Sequence, residues 1–144
     1  SMGYPDPASE VAILKDRQGA NPLNDVKQVV DGNDIIKMQE ETDNLHMDDA
    51  IIEYITMLSF ATRQNPLIEL GVSPRGSIAL AGMSKAKAYI SGRTYVTPED
   101  VQSIFKDVAG HRIILNPRAK ISSVTIDEVI DNIFRTVPVP RTMR

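Results

Sequence analysis

One short stretch of this sequence combines residue types that could bind an anion, Gly71-Val72-Ser73-Pro74-Arg75-Gly76. Ser73 and Pro74 predict a helix start, because serine caps free amides and proline has no amide to lose. Arg75 then occupies the positive end of the helix dipole, at a cost of about 0.3–1 kcal/mol if exposed. Gly76 inside the helix costs roughly another 1 kcal/mol relative to alanine.

Local conflicts of this kind concentrate at functional sites. The helix dipole, the free amides and the Arg75 guanidinium would all favour a phosphate bound at this turn. A structural explanation stays open beside this one, in which Arg75 pairs with a nearby carboxylate such as Glu69.

No other set of residues indicates catalysis or metal binding. The sequence has no G-x-x-x-x-G-K-[ST] phosphate loop, and its two histidines, His46 and His111, are too far apart in sequence to form a helical metal pair. The adjacent pairs Glu40-Glu41 and Asp48-Asp49 would point about 100° apart on a helix, so we interpret them as solvated surface groups. No metal site is expected.

The remaining basic and histidine side chains are predicted to be structural. We interpret His46 as a local cap or surface group and His111 as a packed or hydrogen-bonded histidine. Three arginines are interpreted first as salt-bridging or interface residues: Arg63, Arg93 and Arg112.

The composition indicates one soluble globular domain. The chain has 144 residues, of which 42% are hydrophobic and 24% charged. The absence of cysteine excludes disulfide scaffolds, zinc ribbons and cysteine nucleophiles, and a reducing cytoplasm fits. No apolar run approaches the roughly 18 residues of a membrane span.

Charge is distributed unevenly along the chain. The formal net charge of -3 argues against a general nucleic-acid binder, yet residues 61–120 hold nine bases and four acids while residues 1–60 hold four bases and twelve acids. Either the charges segregate by chance on solvated faces, or the basic middle segment meets an anionic partner.

The helical periodicity and capping residues predict an all-α bundle of about five to six helices, and no strand alternation competes with this pattern. A first helix of about ten residues should follow Asp6-Pro7, place Val11 and Leu14 inward and stop at Gly19. Residues 21–30 are expected to be extended or irregular, and a short helix should follow around residues 35–39. A core helix with Ile51, Ile55, Leu58 and Thr62 on one face should end at Asn65-Pro66.

Three more helices follow from their capping residues. The helix from Ser73-Pro74 should run to Gly92. A neighbouring helix should approach it closely at its small residues, such as Ala79, Gly82 and Ala86. The bulky side chains that fill the contact are expected to be Ile78, Leu80, Tyr89 and Ile90. Thr97-Pro98-Glu99-Asp100 opens a helix that buries Val101, Ile104, Phe105 and Val108. The capping box Thr125 to Glu128 opens the last helix, with Val129, Ile130, Ile133 and Phe134 buried, and Val137-Pro138 ends it.

Five segments occur in an order that resembles MoxR-type AAA+ ATPases. They are Gly3-Tyr4-Pro5-Asp6, the stretch Tyr54 to Arg63 ending in Ala61-Thr62-Arg63, Leu70 to Arg75, Gly92 to Val101, and His111 to Leu115. The resemblance covers nearly everything from Gly3 to about Ala119. It implies that residues 3–144 are a single helical lid domain without the nucleotide-binding core. Ser1 and Met2, before it, are interpreted from their residue types as a cloning remnant.

The resemblance implies a role for Arg75. In this family the corresponding arginine is the sensor 2 residue, which reaches from the lid to the γ-phosphate of ATP. Arg75 is thus the expected catalytic and ATP-contacting residue. ATP and Mg²⁺ would be bound by the missing core, so the parent protein is expected to be an ATPase and this fragment alone inactive. Gly76 and Ser77 depart from the family pattern, which more often has alanine or another helix former there.

The resemblance also implies partners. These are the nucleotide-binding core of the same protein, neighbouring subunits of a hexamer and a von Willebrand A domain protein. The implied role is chaperone-like or metal-insertion activity in the cytoplasm. Neither a membrane nor nucleic acid is expected as a partner. The alternative hypothesis is a stand-alone helical interaction module whose basic middle segment binds an acidic protein or nucleic acid.

Overall fold

The computed structural model describes residues 3–18 and 21–140, and within them the fold is all-α as predicted. The chain folds as two compact units, Ser1–Ile36 and Lys37–Arg144. Seven α-helices lie in the described ranges, rather than five to six. They are α1 (Pro7–Asp16), α2 (Gly32–Asp43), α3 (Asp49–Gln64), α4 (Pro74–Ile90), α5 (Pro98–Ala109), α6 (Pro117–Ile121) and α7 (Ile126–Thr136).

The first unit contains α1, a 3-10 turn at Pro22–Asp25 and the start of α2. The Asp6 carboxylate caps α1 as predicted, accepting from the amides of Ala8 and Ser9 at 2.9 Å each. The prediction that Val11 and Leu14 point inward is wrong, because their exposed fractions are 50% and 62%. A unit this short cannot enclose an apolar core of its own. The predicted stop at Gly19 lies outside the described residues.

The second unit holds the apolar core. α3, α5 and α7 supply the stripes that the sequence predicted, with Phe134 only partly buried, and the edge-to-face rings of Phe105 and Phe134 have centroids 5.4 Å apart. α3 ends at Gln64 and α7 at Thr136, as expected from the prolines that follow. Thr125 and Glu128 form the predicted capping box of α7.

A small β-sheet, for which the sequence showed no strand alternation, joins two loops of the second unit. β1 (Ile68–Leu70) pairs antiparallel with β2 (Ile114–Leu115). Strands of three and two residues are too short for an alternating pattern to be recognised in the sequence. The pairing ties the loop before α4 to the segment after α5.

α4 buries one narrow row of mostly small residues, Gly76, Leu80, Ser84 and Ala88, and α5 is its main neighbour. The expectation of small residues at a helix contact holds for this row, which includes Ala88, but is wrong for Gly82, which is exposed and has no described atom within 4 Å of the place a Cβ would occupy. The bulk assigned to Ile78 and Ile90 is not in the core, however, because these side chains are 74% and 82% exposed. Their positions lie outside the spacing of four that defines the buried row.

An ion pair between partly buried Arg93 and buried Asp100 joins the loop between α4 and α5 to the first turn of α5. Arg93 donates through both terminal nitrogens to the Asp100 carboxylate, with Nη1 to Oδ2 at 2.6 Å, and Thr97 donates its backbone N–H to Asp100 at 2.9 Å. Burial alone would raise the pKa of Asp100, but the hydrogen bonds from Arg93 and Thr97 outweigh it and hold that pKa below its usual value. Arg93 is therefore a salt-bridging residue, as predicted.

Candidate functional site

The turn that carries Arg75 lies at the beginning of α4. α4 starts at Pro74, and the Ser73 hydroxyl accepts a hydrogen bond from the Gly76 amide at 3.3 Å, so the predicted cap is confirmed. Arg75 is exposed, and among residues 3–18 and 21–140 its side chain forms no hydrogen bond or ion pair. The alternative pairing with Glu69 is not observed in the structure. Arg75 is thus able to meet a group that this chain does not supply.

Gly76 and Ser77, which depart from the family pattern, have specific contacts here. A Cβ on Gly76 would lie 2.6 Å from Cγ1 of Val72, which is closer than real Cβ atoms approach any atom. Ser77 donates through its hydroxyl to the Ser59 hydroxyl on α3, at 2.8 Å. The helix cost of Gly76 is thus explained by packing, and the helical start of α4 is intact.

Two further arginines lie beside this turn. Arg63 donates from Nε to the Val72 carbonyl at 2.7 Å, and Arg112 donates from Nε to the Val108 carbonyl at 2.8 Å. The Arg112 Cδ lies 3.6 Å from the place a Gly76 Cβ would occupy, so its side chain runs along the first turn of α4.

This part of the surface is rich in cations. The first turn of α4 contains no acidic residue. Neither Arg63 nor Arg112 forms a salt bridge within the described parts of the chain, so for these two the salt-bridging half of the prediction is wrong and the interface half stays a prediction. Each guanidinium is anchored by its Nε alone. The local field adds to the positive end of the α4 dipole and favours an anion.

The two histidines have local structural roles. His111 is exposed, and its Nδ1 lies 3.1 Å from the Asp107 carbonyl, so the hydrogen-bonded structural role is confirmed. His46 is exposed, and its backbone bridges to the segment before α5, its N–H donating to the Thr94 carbonyl at 3.3 Å. The cap of α3 is Asp48 and not His46.

A cleft of about 410 Å³ lies at the opposite end of α4 from Arg75. Tyr89, Gly92 and Arg93 contribute to its lining, together with Glu41. Since α4 rises about 1.5 Å per residue, the cleft lies roughly 20 Å along the helix from Arg75. The concave surface and the cation-rich turn are therefore separate features. No described residues form a group of three histidine, aspartate or glutamate side chains suited to a metal ion.

Sequence reasoning missed the contacts that hold the turn from below. Thr62 was placed on the core face of α3, and it is fully buried there, yet its hydroxyl also accepts a hydrogen bond from the Val72 amide at 2.9 Å. The available signal was a hydroxyl residue on an otherwise apolar face, which must find partners when buried.

Comparisons with known proteins place this geometry in a family. The AAA lid domain family matches residues 60–133, just over half of the chain and the part that contains α4. Protein YeaC of Bacillus subtilis, which is uncharacterised, is 37% identical over 139 residues, covering 96% of this chain and 43% of YeaC. Chaperone MoxR1 of Mycobacterium tuberculosis is 30% identical over 150 residues, covering 98% of this chain and 39% of MoxR1.

A solved structure agrees with these relatives. The crystal structure of a candidate ATPase from Cytophaga hutchinsonii superposes with a TM-score of 0.84 and 28% identity, over 97% of this chain and 45% of that one. The chain thus spans less than half the length of these relatives. No helix in the described ranges is long and apolar enough to cross a membrane. The chain belongs to the AAA lid domain family, and its resemblance to MoxR-type AAA+ ATPases is confirmed.

Proposed function

We propose that this chain is the lid of a MoxR-like AAA+ ATPase and that Arg75 contacts the γ-phosphate of ATP held by the core of that protein. The observation that carries the proposal is the unpartnered, exposed guanidinium of Arg75 on a capped helix start whose first turn has no acidic residue. Among the described residues Arg75 forms no hydrogen bond or ion pair, and the positive end of the α4 dipole repels its charge.

The residues of this chain fit the phosphate end of a nucleotide. The Arg75 guanidinium is free at the helix start, whereas Arg63 and Arg112 are each held beside it by an Nε bond to a backbone carbonyl and add positive charge to its surroundings rather than a bond to the phosphate. None of the three has a carboxylate partner in the described residues. Arginine is suited to phosphate oxygens because its planar fork can donate two parallel hydrogen bonds. The adenine, the Mg²⁺ ion and the attacking water would be held by the core, which is outside this chain.

Arg75 would act on charge rather than on protons. A guanidinium stays protonated at every relevant pH, so it can stabilise the negative charge on the transferring phosphoryl group but cannot serve as an acid or base. Because Arg75 is fixed to α4, loss of the γ-phosphate would remove one contact between lid and core. This would couple hydrolysis to rotation of the lid.

The test compares two exposed arginines in the full-length ATPase that contains this chain. Arg75→Ala should lower ATP turnover by about 10²–10³-fold, the usual effect of removing one preorganised transition-state donor. Arg118→Ala, at an exposed arginine on α6, is the matched control and should leave turnover within about twofold of the unmodified enzyme. Equal turnover of the Arg75 variant and its control would contradict the proposal.

The wider setting of the lid is proposed from the family relationship. The relative named chaperone MoxR1 supports a chaperone-like remodelling role, in which lid rotation acts on a partner protein. Assembly into a hexamer, work with a von Willebrand A domain protein and a cytoplasmic location complete the proposal. Analytical ultracentrifugation of the full-length protein with ATP tests the hexamer directly.

A further inference from the structure

The residue that precedes the α4 cap is held by two neighbouring side chains of α3. The Val72 N–H donates to Thr62 Oγ1 at 2.9 Å, and the Val72 carbonyl accepts from Arg63 Nε at 2.7 Å. Thr62 and Val72 are both fully buried. Residue 72 therefore cannot shift against α3 without breaking a buried hydrogen bond to Thr62 and a partly buried one to Arg63.

The chain also lies directly against α3 at the preceding residue. A Cβ on Gly71 would stand 2.8 Å from Thr62 Oγ1 and 2.8 Å from the Arg63 amide nitrogen. Only glycine permits this approach without a shift of the backbone. The short distance between the two segments is what brings the Thr62 hydroxyl within reach of the Val72 amide.

The anchored residue in turn supports the first turn of α4. Val72 Cγ1 fills the space beneath Gly76, and Ser77 is hydrogen-bonded to Ser59 of α3. The segments before and after Arg75 are thus both fixed to α3, although Arg75 itself forms no hydrogen bond or ion pair with a described side chain. The backbone at residues 72–77 is therefore the part of the described chain that sets where the Arg75 guanidinium can reach.

We infer that Thr62 is a positioning residue for Arg75, acting with Arg63 through a two-point clamp on the Val72 backbone. This inference rests on the proposed role of Arg75. The Thr62 hydroxyl donates to the Ser59 carbonyl at 2.6 Å, so its oxygen lone pairs remain directed to the Val72 amide. A misplacement of about 1 Å at a reacting group can cost on the order of 100-fold in rate, so loss of the clamp should reduce turnover even in a folded lid.

The variants separate the clamp from simple packing. Thr62→Val keeps the shape and removes both hydrogen bonds, whereas Thr62→Ser keeps the hydroxyl. Ser84→Ala is the matched control, because Ser84 is a fully buried hydroxyl residue of α4 that bonds only to the Leu80 carbonyl of its own helix. Arg63→Met tests the second point of the clamp. Because Arg63 is exposed, this substitution should cost less folding stability than one at buried Thr62.

The experiment measures kcat and KM for ATP in the full-length ATPase, with thermal unfolding of each variant as the reference for stability. We expect Thr62→Val to lower kcat by roughly 10- to 100-fold, Thr62→Ser to stay within about threefold, and Ser84→Ala to leave kcat unchanged. In an Arg75→Ala background, Thr62→Val and Arg63→Met should cause no further loss in single-turnover hydrolysis, because the side chain they position is gone.

The outcomes distinguish this inference from the proposed function. If Arg75→Ala lowers turnover while both Thr62→Val and Arg63→Met leave it unchanged, the clamp is not a positioning device and the role of Arg75 stands. If the clamp variants lower turnover equally with and without Arg75, they act on the lid as a whole and the inference is overturned. If Arg75→Ala itself has no effect, the proposed function fails and the inference fails with it. Should Thr62→Val not fold, Arg63→Met decides.

Discussion

The Arg93–Asp100 pair offers a test of how strongly one buried contact holds this fold. Asp100 is 3% exposed and also binds the Thr97 amide and hydroxyl, whereas the Arg93 side chain is 28% exposed. Arg93→Met removes both guanidinium hydrogen bonds but keeps most of the apolar stem. The variant leaves a buried carboxylate with the Thr97 donors alone.

The expected loss follows from that geometry. Removing one partner of a fully buried pair costs about 3–5 kcal/mol, and partial exposure with the remaining Thr97 bonds reduces this to about 2–3 kcal/mol. For a chain of this size, that loss lowers the melting temperature by roughly 4–12 °C. Lys106→Met is the matched control, because Lys106 and Asp127 form an ion pair of similar length, 2.6 Å, in which both side chains are mostly exposed. Such pairs contribute little.

The effect should also depend on pH, with a defined sign. The pKa of folded Asp100 lies below its unfolded value, so the pair stabilises the fold above the unfolded pKa of about 3.9, and this stability is lost as the pH falls through the folded pKa. Thermal unfolding, followed by circular dichroism at pH 7 and near pH 3, measures the stability that the pair contributes and its loss in acid. The difference in melting temperature between the unmodified chain and Arg93→Met should be largest at pH 7 and smaller near pH 3. Two results would refute this reasoning: a fall in the melting temperature of Arg93→Met no greater than that of Lys106→Met, or a difference from the unmodified chain that does not change with pH.

Two other predictions concern the backbone and the alternative function. Gly71→Ala should destabilise the chain, because its Cβ would lie 2.8 Å from backbone atoms of α3. Gly82→Ala, whose Cβ would have no described atom within 4 Å, should stabilise α4 by up to about 1 kcal/mol. Urea unfolding measures the free energy of unfolding of both variants, and equal changes in the two would contradict the packing at Gly71. A titration with duplex DNA at low salt should detect no binding, because α4 buries one face and carries few exposed basic side chains. Binding whose affinity falls steeply as salt is added would instead favour the stand-alone interaction module.

Helix starts could be predicted from the sequence because they depend on neighbouring residues. Asp6, Ser73 and Thr125 cap α1, α4 and α7 as expected, each through a side chain that reaches an amide two or three residues on. The chemistry of capping is local, so the residue types in that order carry the information.

Contacts between distant segments could not be predicted in the same way. The pairing of Ile68–Leu70 with Ile114–Leu115 joins segments far apart in sequence and leaves no periodic pattern in either. The clamp of Thr62 and Arg63 on Val72 is equally invisible, because a buried threonine and an exposed arginine are each common on a helix. The position of Arg75 in the first turn of α4 was predicted from the sequence. That Arg75 forms no ion pair with Glu69 could be seen only in the three-dimensional structure.

The most direct measurement compares the nucleotide affinities of the full-length protein that contains this chain and of its Arg75→Ala variant. If Arg75 contacts the γ-phosphate, the variant should bind a non-hydrolysable ATP analogue about 10- to 100-fold more weakly, as expected for loss of a charge-assisted hydrogen bond, and bind ADP with unchanged affinity. Isothermal titration calorimetry measures both. Equal affinities of the variant and the unmodified protein for the ATP analogue, or an equal loss for ADP, would contradict the assignment of Arg75 as the residue that senses the terminal phosphate.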